Sequence, residues 1–128
     1  MEDHTGELEL SVEAPTIAAL FTGALALLAR EVSQAPRRPG TVRSLDLRSN
    51  GYDDLLVALI DEAAFLLERE GFVAHAVAVD EVSPGRLRGT LLGVLDPEAR
   101  QLVKAATYHD LAVERSGGGW RARIVLDV

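Results

Sequence analysis

Three oxygen-bearing groups of this sequence could converge on one ion: Glu7, Asp127 and the terminal carboxylate of Val128. They meet if the first and last strands of the chain are neighbours. No histidine or thiolate belongs to the set, and all-oxygen donors suit a hard divalent cation such as Ca²⁺, Mg²⁺ or Mn²⁺. The same residues also describe a solvated acidic strand face, which spacing alone favours. A second chemical signal is Lys104. Of thirteen basic residues it is the only lysine, the other twelve being arginine. An ammonium differs from a guanidinium in size, hydration and ability to titrate, so its single use marks a position where arginine does not serve equally well.

The elements that must position these groups follow from periodicity. Met1–Val12 alternates His4, Gly6, Leu8, Leu10 and Val12 against Asp3, Thr5, Glu7, Glu9 and Ser11, a strand with a strongly acidic polar face. Ile17, Leu20, Phe21, Ala24, Leu27 and Leu28 form a helical stripe, with Pro15 expected in the first turn. Pro36 and the Arg37–Gly40 run end that helix in a loop. Thr41–Arg48 predicts a strand and Asn50-Gly51 a turn. Asp53 and Asp54 favour a helix start. Leu55, Leu56, Leu59, Ile60, Ala63, Leu66 and Leu67 carry that helix to a stop at Gly71. Phe72–Val82 and Arg86–Val94 are strands around Ser83-Pro84-Gly85.

In the last stretch Val103, Ala105, Thr107, Leu111 and Val113 share one parity, and Lys104, Tyr108, Asp110 and Glu114 the other. Past the turn at Ser116–Gly119, Trp120, Ala122, Ile124, Leu126 and Val128 alternate with Arg121, Arg123, Val125 and Asp127. Parity thus predicts Lys104, Tyr108 and Asp127 on the outward side of an antiparallel pair. The order β-α-β-α-β-β-β-β gives an α+β fold. We expect a two-layer sandwich in which a mostly antiparallel sheet of about six strands carries two helices on one face.

Composition bounds the function. A chain of 128 residues fits a single domain, 1–128, with a real core. It has no cysteine, which removes disulfides and thiolate metal sites and agrees with a cytoplasmic location. No apolar run reaches the roughly 18 residues of a membrane span, so no membrane role is expected. A net charge of −7 opposes strong direct nucleic-acid binding, whose affinity rests on phosphate neutralisation. His4, His75 and His109 do not form a helical metal pair, and His75 among Val73, Val77 and Val79 reads as structural. Gly117-Gly118-Gly119 joins two strands and is a hairpin turn, not a phosphate loop. The arginines at 37, 38, 43 and 48 read as a solvated loop and strand edge.

Taken together, these residues resemble the archease family. Its N-terminal Asp-His-Thr-x-Asp is matched by Asp3-His4-Thr5-Gly6-Glu7, with glutamate in place of the second aspartate. Its leucine-rich second helix is matched by Asp54–Phe72, and its Val-Lys-Ala-x-Thr-Tyr-His by Val103–His109. Its hydrophobic last strand with aspartate next to last is matched by Ile124–Val128. The resemblance implies an archease-like fold and an accessory, non-enzymatic role in tRNA splicing or RNA repair. Archeases assist the GTP-dependent RNA-splicing ligase, which joins 3′-phosphate or 2′,3′-cyclic phosphate ends to 5′-hydroxyl ends. They promote guanylylation of its active-site histidine and allow multiple turnovers. By similarity the metal-binding carboxylates fall on Glu7 and Asp127, beside Val128, and the functional lysine on Lys104. Asp3, His4, Tyr108 and His109 belong to the same motifs and are expected at the partner surface. Two other functions compete: a small divalent-metal-dependent hydrolase using Glu7 and Asp127, and a chaperone-like module binding proteins through its sheet without metal.

Overall fold

The computed structural model describes residues 6–36 and 40–128. The elements are β1 (Glu7–Ala14), α1 (Ile17–Val32), β2 (Thr41–Arg48), α2 (Tyr52–Glu70), β3 (Phe72–Ser83), β4 (Arg86–Leu95), β5 (Ala105–Ser116) and β6 (Gly119–Asp127). This is the order the periodicities predict. The expected start of the first strand, with Asp3 and His4, and the Arg37–Arg38 pair lie outside the described residues.

Helix α1 starts two residues later than Pro15 suggests, at Ile17. Thr16 is its N-cap, and the Thr16 hydroxyl oxygen accepts the Ala19 N–H at 3.1 Å, which satisfies one of the free donors of the first turn. Pro15 stands just outside the cap. Helix α2 has no side-chain cap, but Asp53 and Asp54 lie in its first turn and Arg69 in its last, each matched to the helix dipole. It ends at Gly71, whose φ of 70° is left-handed and whose N–H returns to the carbonyls of Leu66 and Leu67.

All six strands are antiparallel to their neighbours and fall into two three-stranded sheets, β1-β6-β5 and β2-β4-β3. The connections explain this division. β2, β3 and β4 form one set around the β3–β4 hairpin. The chain then returns through β5 and the Gly117-Gly118 turn to set β6 against β1. Both turn glycines have positive φ, 55° and 85°, as a two-residue hairpin with right-handed twist requires.

Both helices bridge the sheets: α1 packs on β1, β3 and β6, and α2 on β2, β3, β4 and β5. One hydrophobic cluster results. It joins Leu20, Phe21, Leu25 and Leu28 of α1 to Leu55, Leu56, Leu59 and Ile60 of α2. Leu10, Ile124 and Leu126 enter it from the first sheet, and Leu45, Leu87, Leu91 and Phe72 from the second. Each such side chain contributes on the order of 1.5–3 kcal/mol by leaving water. Tyr52 at the start of α2 meets Trp120 at the start of β6 edge-on, with ring centroids 5.3 Å apart. This contact fixes the turn end of the β5–β6 hairpin against the helix.

Candidate functional site

β1 and β6 are neighbours, and their register sets Glu7 directly opposite Asp127. The ladder runs on through Leu8 opposite Leu126, Glu9 opposite Val125 and Leu10 opposite Ile124. Leu10, Ile124 and Leu126 are buried in the core, so the opposite parity, with Glu7 and Asp127, turns away from it. Both carboxylate residues are exposed. Directly opposed residues have Cβ atoms about 4.5–5.5 Å apart, and like charges so placed repel. Among the described residues neither carboxylate has an ion-pair or hydrogen-bond partner. Val128 carries the pairing one step further. Its N–H donates to the Gly6 carbonyl at 3.1 Å, and its backbone oxygen accepts the Gly6 N–H at 3.4 Å.

Lys104 reaches the same corner from the other side of β6. It lies exposed one residue before β5, and its backbone N–H donates to the Asp127 carbonyl at 2.8 Å. Glu7, Asp127 and Lys104 are therefore joined by backbone contacts on three adjacent segments. Among the described residues no group of three or more His, Cys, Asp or Glu side chains is arranged to hold a metal ion. Two opposed carboxylates without a counter-charge nonetheless have the donor chemistry of a partial oxygen site for a hard cation. Asp3 and His4 lie outside the described residues.

Lys104 and Tyr108 both depart from the outward parity expected of them. Ala105 pairs with Asp127 and Thr107 with Val125, so these two residues continue the outer parity. The ladder resumes only at Ala112 opposite Arg123, and four residues of β5, 108–111, are thus set against Ile124 alone. This wide bulge contains Asp110, whose φ of 56° is uncommon for a residue other than glycine. The extra residues reverse the alternation. Asp110 and Glu114 do share the outer face, where Arg123 lies 3.2 Å from Glu9 and 3.4 Å from Asp110, and Arg121 lies 2.7 Å from Glu114. His109 is exposed, 3.2 Å from Asp110.

Tyr108 instead turns to α2. The residue is 64% exposed, and it lines a cleft with Asp54 and Asp61 of the helix. The charge of Asp54 is the largest cause holding the phenol above its ordinary pKa, followed by desolvation, the Asp54 hydrogen bond, and the charges of Asp61 and Asp53. Asp61 accepts the backbone N–H of Ala106 at 3.2 Å. Sequence patterning had assigned Asp53 and Asp54 to the helix dipole alone. Their second role has one signal in the sequence, the seven-residue spacing of Asp54 and Asp61, which puts both on one helix face.

His75 sits half-buried at the β3 bulge between Ala74 and Ala76. The second sheet carries its own ion pairs, Arg86 with Asp46 at 2.9 Å and Arg43 with Glu70, and the Arg43 guanidinium also lies 5.2 Å from the Phe72 ring centre. Arg43 and Arg48 are thus strand residues, as expected. Among the described residues no helix is long and apolar enough to cross a membrane.

Fold and site define a class: a small α+β protein of two three-stranded sheets, with an acidic pair where its first and last strands meet. The chain belongs to the archease family, since the Archease protein family (MTH1598/TM1083) matches it over residues 1–128. It is 32% identical to protein archease of Pyrococcus furiosus, over 98% of this chain and 95% of that one. Among solved structures it is similar to protein 1598 of Methanobacterium thermoautotrophicum, with a TM-score of 0.77 and 23% identity over 99% of this chain and 96% of that one. It is also similar to an archease from Thermotoga maritima described as a possible chaperone, with a TM-score of 0.62 and 16% identity over 95% and 89% of the two chains.

Proposed function

We propose that this chain is a non-enzymatic activator of a GTP-dependent RNA-splicing ligase, promoting its guanylylation and repeated turnover in the cytoplasm. The observation that carries this proposal is the corner at which Glu7, Asp127 and Lys104 meet, in a member of the archease family. Glu7 and Asp127 would hold a divalent cation, Ca²⁺, Mg²⁺ or Mn²⁺, in part through the need of two opposed carboxylates for a counter-charge. When bound, that ion supplies positive charge to offset nucleotide phosphates. Lys104, tied to Asp127 through its backbone, would supply a compact ammonium, a donor suited to a phosphate oxygen.

The rest of the outer face supports a protein partner over direct RNA binding. Glu9, Glu13, Asp110 and Glu114 line it, and its two arginines, Arg121 and Arg123, are already engaged by carboxylates. Such a face offers no phosphate track.

The test is transfer of radiolabel from GTP to the cognate ligase, with and without this chain, followed by joining of a 3′-phosphate RNA. Stimulation of both steps is expected, and the chain alone should join no RNA. No stimulation of an active ligase removes the proposal. Release of phosphate from a phosphoester by the isolated chain would favour a hydrolase, and metal-independent binding of unrelated unfolded proteins a chaperone.

A further inference from the structure

Asp54 and Asp61 stand two turns apart on one face of α2, about 10.5 Å along the axis. Opposite them runs the start of β5, in which Ala106 and Tyr108 are about 7 Å apart. Asp61 accepts the Ala106 N–H at 3.2 Å, and Asp54 lines the same cleft as Tyr108, where its charge bears on the phenol. The segment needs such support. It lies between the Lys104 N–H to Asp127 carbonyl contact and the bulge of residues 108–111, and it pairs with β6 only through Ala105, Ala106 and Thr107, with no strand on its other edge. A cleft of about 310 Å³ remains between helix and strand, lined by Arg48, Asn50, Ala58 and the three groups of the clasp, Asp54, Asp61 and Tyr108. On its free edge the Ala106 N–H is therefore answered by the helix and not by a strand.

We propose that Asp61, aided by Asp54, is a positioning residue that holds the Lys104–Tyr108 segment so that Lys104 stays beside Asp127. This rests on the proposed role of Lys104 in ligase activation. Asp61 touches neither ion nor nucleotide and acts through the backbone of Ala106. Its carboxylate replaces a ladder partner, which is why a helix surface residue bears on a site at the sheet edge. The bulge end is fastened separately by Asp110 to Arg123, so loss of Asp61 frees the Lys104 end alone.

Asp61→Ala, Asp61→Asn, Lys104→Ala and the Asp61→Ala/Lys104→Ala double variant test this. In Asp61→Ala, amide exchange at Ala106 should quicken about tenfold while core amides such as Leu91 keep their rates. Ligase stimulation should fall with it. Asp61→Asn, whose side-chain oxygen still accepts the Ala106 N–H, should keep most of both. The double variant should be no worse than Lys104→Ala, because one residue acts through the other. Unchanged exchange at Ala106, full stimulation by Asp61→Ala, or losses that multiply in the double variant would each overturn the proposal. If the wild-type chain does not stimulate the ligase, the ligase role is what fails, and exchange at Ala106 then decides the clasp by itself.

Discussion

Glu7 and Asp127 come from near opposite ends of the chain and stand directly opposite each other across the β1–β6 ladder. Two exposed carboxylates in that relation repel, and among the described residues no arginine answers either of them, although the face beyond them pairs its arginines with acids. A strand pair that tolerates this arrangement gains from any cation bound there.

That gain is measurable. Without divalent ions, Asp127→Asn should leave stability within about 0.5 kcal/mol of wild type, with relief of repulsion offsetting the change. With Ca²⁺, Mg²⁺ or Mn²⁺ added, wild type should rise in Tm and give heat in calorimetric titration, whereas Asp127→Asn and Glu7→Gln should do neither. Equal ion affinity in wild type and variants would remove the site.

Lys104→Arg keeps the charge and changes its shape. The fold should persist, since Lys104 is exposed and its recorded contact is made by its backbone. Ligase stimulation should drop because a planar fork does not reproduce a compact ammonium. Full stimulation by the arginine variant, measured by guanylylation, would leave the ammonium without a special role.

Tyr108 supplies a pH readout. Its phenol is held above the ordinary value, mainly by the charge of Asp54, so the neutral hydroxyl is favoured in the folded chain. A raised pKa adds stability that is complete below the unfolded-state value and is lost as pH rises through the folded-state value. The affected window is therefore alkaline, above about 10. Asp54→Asn should bring the Tyr108 ring titration, followed by NMR, down toward that of a free tyrosine. A titration that does not move would mean that Asp54 is not the cause.

Core support for the site strand can be checked at Leu126, fully buried and next to Asp127. Leu126→Ala should cost about 2–5 kcal/mol in denaturant unfolding, through lost burial and a residual cavity. A cost below 1 kcal/mol, on the order of an exposed substitution, would contradict the packing described here.

Much of this was legible in the sequence because periodicity and punctuation agree. The α2 stripe, its acidic first turn and its Gly71 stop lie where expected, and β2 spans the predicted Thr41–Arg48. The meeting of Glu7 with Asp127 needed only that the terminal strands be neighbours, and they are. Two features were not legible. The division of six strands between two sheets depends on which hairpins associate, which alternation within a strand does not encode. The orientation of Tyr108 depends on the bulge before Ala112. Parity counting assumes an unbroken pleat, and a left-handed Asp110 with extra residues beside it breaks that assumption. The partners of Tyr108 on α2 were hidden for the same reason, since a tyrosine assigned to the outer face has no route to a helix.

Activation of a ligase by the corner of Glu7, Asp127 and Lys104 is measured most directly as the amount of guanylylated ligase formed from labelled GTP with substoichiometric wild-type chain, beside the Asp127→Asn and Lys104→Arg variants at equal fold integrity. Wild type should raise guanylylation and the number of RNA-joining turnovers per ligase, and both variants should fall toward the level without the chain. Stimulation by both variants equal to that of wild type would contradict it.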